Sequence, residues 1–117
     1  MILFLIAVFL FAVLLLVWGK KSGEGSLGSQ DDFARCLAGK NVVMYGANWC
    51  PHCQNEKKAF GDSFRLVPYV ECPEDPQRCL AAGIAGYPTW IFPDGNKFEG
   101  EQGLKRLSQE SGCPLGD

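Results

Sequence analysis

Two cysteines three positions apart, Cys50 and Cys53, most constrain what this chain can fold into. A short apolar run at 42–47 precedes them, and a segment typical of a helix at 54–60 follows. A strand that delivers two cysteines to the first turn of a helix places the first sulfur near unpaired N–H groups and the positive end of the helix dipole, which stabilise a thiolate. Pro51 suits that turn, because its missing N–H costs no hydrogen bond there. The pattern predicts a redox-active pair.

Between the two cysteines stands His52, which can donate a hydrogen bond or a positive charge to the Cys50 sulfur. A buried structural pair and half of a zinc site are the alternatives for a Cys-x-x-Cys motif. Zinc would also need Cys72 and Cys79, but zinc ribbons generally use tight knuckles, whereas six residues separate that pair. Covalent haem attachment requires a histidine where the chain has Gln54. We therefore expect no metal and no cofactor beyond the redox-active disulfide.

A second motif, Gly-Tyr-Pro-Thr at 86–89, leads straight into the apolar segment 90–92, which is typical of a strand. Pro88 therefore stands at a strand entrance. With the two cysteines, this motif resembles the thioredoxin superfamily, in which a cis proline at the head of a strand packs against the Cys-x-x-Cys and shapes the substrate groove. The resemblance covers about residues 31–112, and it implies that Pro88 is cis, a costly arrangement that is seldom accidental.

In detail, the chain looks most like the thioredoxin-like domain fused to bacterial and plant homologues of vitamin K epoxide reductase, and like its membrane-tethered relatives. The dipeptide Pro51-His52 is also that of the periplasmic oxidant DsbA. Thioredoxin itself has a buried aspartate, which helps to move protons, where this chain has Met44. That departure favours an oxidant or a carrier over a general cytosolic reductant. The resemblance implies catalytic roles for Cys50, Cys53, His52 and Pro88, and a substrate groove formed by Trp49, Tyr87 and Thr89.

Residues 1–18 form an unbroken apolar run. At about 1.5 Å per residue, a helix of this length can just cross a hydrocarbon core of roughly 30 Å. A cleaved signal peptide is the alternative, but the run has no basic n-region and no small-x-small cleavage site. Trp18, Lys20 and Lys21 suit an anchor at the membrane interface. We predict a transmembrane anchor at 1–19, a flexible linker rich in glycine and serine at 20–30, and one domain at 31–117.

The side of the membrane depends on two conflicting signals. Lys20 and Lys21 follow the anchor, and by the positive-inside rule they would leave the domain in the cytoplasm. Six cysteines in so small a domain favour an oxidising compartment, as does the resemblance. We therefore predict a single-pass protein whose domain faces the extracytoplasmic side. Beyond the two lysines, 9 basic residues stand against 13 acidic ones, so nucleic acid is not expected as a partner.

The segments of the domain alternate between helical and extended patterns. Asp31 or Asp32 can cap a first helix that ends at Gly39, and the polar run Glu56, Lys57 and Lys58 is most simply a solvated face. Strands are expected at 41–46, 66–71, 89–92 and 97–99, and helices at 31–39, 54–60, 76–82 and 102–110. This order is that of an α/β thioredoxin-like fold, a mixed sheet flanked by helices, without its first strand.

Six cysteines permit fifteen pairings. Cys72 and Cys79 bracket a loop that enters a helix, so a bridge there would rigidify the connection, although the pair could instead relay electrons to or from Cys50. Cys36 and Cys113 lie near the two ends of the domain. We assign a bridge between them by elimination, because they are the two cysteines that remain.

We interpret the chain as a membrane-anchored thiol–disulfide oxidoreductase that exchanges disulfides with exported protein thiols. By resemblance, it acts as an oxidant whose electrons pass to a quinone-coupled membrane oxidoreductase. The alternatives are the reverse flow, in a disulfide reductase or isomerase, and a non-catalytic module that binds metal through the same thiolates.

Overall fold

The computed structural model describes residues 1–17 and 30–116. The predicted linker, except for its last residue, and the anchor residues Trp18, Lys20 and Lys21 lie outside the described residues. Helix α1, Ile2–Val17, carries exposed apolar side chains up to Leu14. Within 1–17 and 30–116, no helix combines the length and the apolar character needed to cross a membrane. The transmembrane helix expected at 1–19 is therefore not found in that part of the chain.

Four short strands form one mixed sheet. They are β1 (Val43–Gly46), β2 (Tyr69–Glu71), β3 (Thr89–Ile91) and β4 (Lys97–Glu99), in the order β2-β1-β3-β4. Strand β1 pairs in parallel with β2 and antiparallel with β3, and β3 pairs antiparallel with β4. The turn between β3 and β4 contains Gly95 at φ 86°, a conformation that glycine adopts without steric cost. The strands expected at 89–92 and 97–99 therefore form an antiparallel hairpin.

The helices of the domain alternate with these strands. Helix α2 spans Asp31–Gly39, α3 spans Pro51–Phe60, a 3₁₀ helix spans Gly61–Leu66, α4 spans Pro76–Ala82, and α5 spans Gly103–Ser111. Helix α4 has the bounds expected from the sequence, since Pro76 suits its first turn and Gly83 closes it at φ 71°. The order of elements confirms the predicted α/β thioredoxin-like fold with a mixed sheet and flanking helices.

Three local predictions were wrong. The strand expected at 66–71 begins only at Tyr69, because the segment before it forms the 3₁₀ helix. Asp31 does not cap α2, since the N-cap residue is Gln30 and its side chain makes no capping bond. Asp31 instead accepts hydrogen bonds from Ser63 and Arg65 and so ties α2 to the 3₁₀ helix. Glu56 is not solvated but buried, at 1% exposure.

The core lies where α2 and α3 pack together with β1 and β3. Phe33 of α2 stacks on Phe60 of α3 with ring centroids 5.7 Å apart, and Phe60 also contacts Trp90 of β3. Burial of each such side chain stabilises the fold by about 1.5–3 kcal/mol. Met44 of β1 is fully buried beneath them. This packing fixes α3, which carries the two redox cysteines, against the strand that follows Pro88.

Two disulfides hold the periphery of the domain. Cys36 of α2 is bonded to Cys113 after α5, and Cys72 after β2 is bonded to Cys79 of α4. These are the pairs expected from the sequence. Cys72 and Cys79 are 2% and 5% exposed, and their burial is more typical of a structural disulfide than of an electron relay.

Candidate active site

Cys50 is the N-cap residue of α3. The turn between β1 and α3 directs its sulfur towards Tyr87, and Sγ donates a hydrogen bond to the carbonyl oxygen of Tyr87 at 3.6 Å. The peptide bond between Tyr87 and Pro88 is cis, as the resemblance implied. The structure therefore brings together the first cysteine, a helix N-terminus and the cis proline. Unpaired N–H groups at such a terminus stabilise negative charge on a sulfur.

Cys53 lies one turn further along α3 and is fully buried. Burial is the main cause that raises the pKa of its thiol to about 12, and the neighbouring Cys50 raises it further. The backbone N–H of Ala47 and the charge of Lys57 act in the opposite direction. Cys53 therefore holds its proton firmly at neutral pH. Its sulfur faces β1, where a Cβ added to Gly46 would lie 2.9 Å from it, so this position has no room for a side chain.

The two cysteines of the motif are the free thiols of the chain, because the other four are in disulfides. Cys50 is 6% exposed and Cys53 is not exposed at all. A thiol partner arriving from solvent can therefore meet Cys50 but not Cys53. This asymmetry matches the roles of an attacking and a resolving cysteine.

His52 is directed towards a carboxylate. Its Nδ1 lies 2.7 Å from Oε1 of Glu101, which also accepts a hydrogen bond from Asn55 Nδ2 at 2.8 Å. The hydrogen bond from Asn55 lowers the pKa of Glu101 most, and the hydrogen bond from His52 lowers it further. The sequence predicted a hydrogen bond from His52 to the Cys50 sulfur, but the bond formed among the described residues goes to Glu101. His52 can still influence Cys50 through its charge.

The residues expected to form the substrate groove differ in accessibility. Trp49 is 65% exposed and meets the ring of Tyr87 edge to face, with centroids 6.1 Å apart. Thr89 is buried, and its hydroxyl donates to the carbonyl of Gly86 at 2.7 Å, so this side chain holds the loop before the cis proline. An apolar cavity of about 270 Å³ adjoins Tyr87 and is lined by Cys72, Pro73, Pro76, Cys79, Leu80 and Ile84.

Glu56 is a buried carboxylate that the sequence reasoning missed. It accepts hydrogen bonds from the indole Nε1 of Trp90 at 2.5 Å, from the backbone N–H of Gln102 at 3.1 Å and from that of Gly103 at 2.8 Å. It thereby joins α3 to β3 and to the first turn of α5. The signal that could have found it is spacing, since Cys53, Glu56 and Phe60 recur on one face of the helix.

A second missed group lies behind Cys53. Tyr69 of β2 donates its hydroxyl proton to Oε2 of Glu71 at 2.5 Å, and Oε1 of Glu71 accepts a hydrogen bond from the backbone N–H of Asn48 at 2.8 Å. Burial raises the pKa of Tyr69 most, and the hydrogen bond to Glu71 raises it further. Lys57 Nζ stands 4.1 Å from the centroid of the Tyr69 ring. The strand pattern alone did not show which way these side chains point.

The described part of the chain contains no group of three or more histidine, cysteine or acidic side chains arranged to hold a metal ion.

Comparison with known proteins finds several curated relatives and several solved structures. No family model matches the chain. It is 38% identical over 91 residues to thiol-disulfide oxidoreductase LTO1 of Arabidopsis thaliana, a match that covers 70% of this chain and 24% of that protein. It is 29% identical over 104 residues to a thioredoxin domain-containing protein 5 homolog of Drosophila melanogaster, covering 75% and 25%. The chain thus spans about a quarter of the length of these relatives.

Among solved structures, Fasciola hepatica thioredoxin matches with a TM-score of 0.47 at 22% identity, over 62% of this chain and 79% of that one. Oxidised thioredoxin from Plasmodium falciparum matches with a TM-score of 0.47 at 18% identity, over 74% and 92%. The order of strands and helices, the cysteine pair at a helix start and the curated relatives together support the thioredoxin superfamily for this chain.

Proposed function

We propose that this chain is a thiol–disulfide oxidoreductase that exchanges disulfides with protein thiols through Cys50 and Cys53. One observation carries the proposal: Cys50 is the N-cap residue of α3, its sulfur lies against the Tyr87 carbonyl next to cis-Pro88, and Cys53 is buried one turn further along the helix. The Arabidopsis relative, whose name states this activity, supports it.

In the oxidising direction, the reaction begins with the Cys50–Cys53 disulfide. A substrate thiolate attacks the Cys50 sulfur, the disulfide breaks, and Cys53 leaves as a thiolate that takes up a proton. A second substrate thiolate then attacks the substrate sulfur of the mixed disulfide. The substrate leaves as a disulfide, and Cys50 departs as a thiolate at the helix N-terminus. Two electrons pass from the substrate to the protein.

Trp49 and Tyr87 form the apolar border of the groove in this proposal. Both flank the Cys50 sulfur, and the apolar cavity continues from Tyr87 towards the Cys72–Cys79 disulfide. If a substrate chain lies along the loop beside Pro88, the substrate residue that neighbours the reacting cysteine would lie near this cavity. Pro88 itself has no N–H, and its carbonyl accepts a hydrogen bond from the backbone N–H of Gly100 at 2.7 Å, so the Tyr87 carbonyl is the acceptor that this loop offers beside the Cys50 sulfur.

Substitution of each cysteine tests the exchange. Cys53→Ser should trap mixed disulfides between Cys50 and substrates, because the variant lacks the Cys53 thiol that would attack and release them, whereas Cys50→Ser should abolish exchange and trap nothing. The double variant Cys72→Ser/Cys79→Ser is the matched control. It should keep the rate of disulfide exchange and lose only stability. A folded double variant with a slower exchange rate would support the alternative in which Cys72 and Cys79 relay electrons to or from Cys50. Equal loss in both single variants without a trapped species would contradict the mechanism.

The direction of flow that we propose is oxidation. It is supported by Met44, which offers no carboxylate at its buried position, and by His52, which adds positive charge beside the pair when it is protonated. The competing function is a reductase or isomerase. The redox equilibrium with glutathione decides between them, and a potential close to that of thioredoxin would overturn the oxidant assignment.

We also propose that the domain is held at the outer face of a membrane and passes electrons to a quinone-coupled membrane oxidoreductase. The apolar, exposed side chains of α1 and the two disulfides support this location. Protease protection in intact cells tests it, and a domain digested only after the membrane is opened would contradict it. Reoxidation of the reduced protein by membranes with and without a quinone tests the partner, and a rate independent of quinone would exclude it.

A further inference from the structure

The chemistry proposed above requires that a proton move to or from Cys53 in every turnover. In oxidation, Cys53 leaves as a thiolate and must be protonated, and in the reverse direction its thiol must lose a proton before it attacks the mixed disulfide. Cys53 is fully buried, so bulk water does not reach its sulfur directly. A group inside the domain has to carry the proton.

The sulfur of Cys53 and the hydroxyl of Tyr69 lie on the same side of Gly46. A Cβ added to this glycine would be 2.9 Å from Cys53 Sγ, 3.3 Å from Cε2 of Tyr69 and 3.4 Å from its hydroxyl oxygen. Because Gly46 has no side chain, the Cys53 sulfur and the Tyr69 hydroxyl face the same space beside β1. Tyr69 is half-buried and delivers its hydroxyl to Glu71.

The charged and titratable groups around Cys53 in the described residues come from two elements. Helix α3 contributes Cys50 and Lys57, and strand β2 contributes Tyr69 and Glu71. Lys57 lies over the Tyr69 ring, where its positive charge favours the thiolate form of Cys53. Glu71 is half-buried, and its second oxygen accepts a hydrogen bond from the backbone of Asn48 in the exposed loop before Cys50.

We propose that Tyr69 and Glu71 form the proton relay of Cys53. When the Cys53 thiol attacks, its proton passes to the Tyr69 oxygen while the Tyr69 proton passes to the Glu71 carboxylate. The Cys53 thiolate then bonds to the Cys50 sulfur, and the substrate sulfur leaves as a thiolate. Glu71 releases the proton to solvent or to that thiolate. In the oxidising direction, each transfer runs backwards and the protonated Glu71 supplies the proton.

This inference rests on the proposed function and accounts for one feature that the exchange alone does not require. A hydroxyl in the core beside Cys53 could be replaced by an apolar group without loss of packing, yet Tyr69 is ordered there by a carboxylate on the same strand. The Glu71 side chain is itself half-buried, so its carboxylate can exchange a proton with solvent. The relay therefore has a base, a bridging hydroxyl and an exit.

The test separates the two chemical steps in the full-length reduced protein with oxidised glutathione as the probe. The first step forms the mixed disulfide of Cys50 with glutathione, and the second closes the Cys50–Cys53 disulfide. Acid quenching followed by mass spectrometry measures both species over time. The variants are Tyr69→Phe and Glu71→Gln. Tyr45→Phe removes a hydroxyl from the neighbouring strand, where the residue packs against the Cys72–Cys79 cluster instead, and serves as the control.

We expect Tyr69→Phe to leave the first step unchanged and to slow the second by about 100-fold or more, the usual scale for loss of a general base. Between pH 6 and 8, the second step of this variant should accelerate about tenfold per pH unit, because hydroxide replaces the internal base, whereas the wild type depends weakly on pH. Glu71→Gln should behave in the same way, and Tyr45→Phe should match the wild type.

The outcomes are distinguishable. If the wild type forms no mixed disulfide at Cys50, the proposed function fails. If the mixed disulfide forms and resolves in both Tyr69→Phe and Glu71→Gln with the wild-type rate and pH profile, the relay is overturned and the proposed function stands. Glu71→Gln keeps the test decisive if Tyr69→Phe does not fold.

Discussion

Of the two glutamates in α3 and β2, Glu56 and Glu71, neutralisation of Glu56 should destabilise the domain more. Its carboxylate is 1% exposed and accepts hydrogen bonds from Trp90, Gln102 and Gly103. Hydrogen bonds to a charged group contribute about 1.5–3 kcal/mol each, and a buried donor left without a partner costs about 1–3 kcal/mol. Glu56→Gln keeps the shape but turns an amide N–H₂ towards at least one donor. We expect a loss of about 2 kcal/mol in the free energy of unfolding.

Glu56→Ala removes all three acceptor contacts and leaves a cavity, so its expected cost is about 3–6 kcal/mol, a large part of the stability of a small domain. Because 1 kcal/mol corresponds to about 4–8 °C in a domain of this size, Glu56→Gln should lower the melting temperature by about 8–16 °C. Urea denaturation of the oxidised protein, followed by tryptophan fluorescence, measures the change. Glu74→Gln, at an exposed position, is the control and should stay within about 0.5 kcal/mol.

The double-mutant cycle of Glu56→Gln with Trp90→Phe isolates one of these contacts, since Trp90→Phe removes the indole donor. If the carboxylate holds that donor, the two changes together should cost less than the two separate losses. A stability change below about 0.5 kcal/mol for Glu56→Gln, or a cycle without coupling, would refute the reasoning. Since Glu56 also joins α3 to the strand after Pro88, a destabilised variant should exchange disulfides more slowly below its melting temperature.

Three other perturbations follow from the site. His52→Ala should make the Cys50–Cys53 couple more reducing in the glutathione equilibrium, because it removes a side chain that adds positive charge beside the pair when it is protonated, and an unchanged equilibrium would exclude a role for His52. The pKa of Cys53 in the folded state is about 12, which lies above the ordinary thiol value. The contribution of this thiol to the free energy of unfolding of the reduced protein is therefore full below about pH 8.5 and falls as the pH rises towards 12. Urea titrations at neutral and alkaline pH should show this fall in the wild type and a shallower one in Cys53→Ala. Cys36→Ala/Cys113→Ala opens a loop of 77 residues and should cost about 4 kcal/mol by the loop-entropy estimate, measured by the same denaturation, and a loss under 1 kcal/mol would contradict it.

Local signals in the sequence were enough to predict most of the architecture. Helix α4 was predicted with its observed bounds because proline at its start and glycine at its end act within a few residues. The end of α2 at Gly39 was predicted from the glycine itself. The positions of Cys50 and Pro88 followed from two short motifs and from the resemblance that they carry.

The interactions of Glu56 and Asp31, which the sequence did not reveal, join residues far apart in the chain. Glu56 follows a polar pattern with Lys57 and Lys58, yet its partners lie 34 to 47 positions away. Asp31 was a plausible cap, but its bonds go to side chains 32 and 34 positions away in the 3₁₀ helix. No local pattern encodes such pairings, because they depend on which helix face the sheet covers.

The arrangement of the two sulfurs implies an order of events. Cys53 lies behind Cys50 and against Gly46, so a substrate sulfur cannot reach it without first displacing the helix turn. Any exchange must therefore begin and end at Cys50, whichever way the electrons flow. The Tyr87 carbonyl that accepts from Cys50 also belongs to the loop on which a substrate would lie. A substrate that pairs with this loop would meet the sulfur already oriented, so the same contact that orders the free thiol also selects the cysteine that reacts.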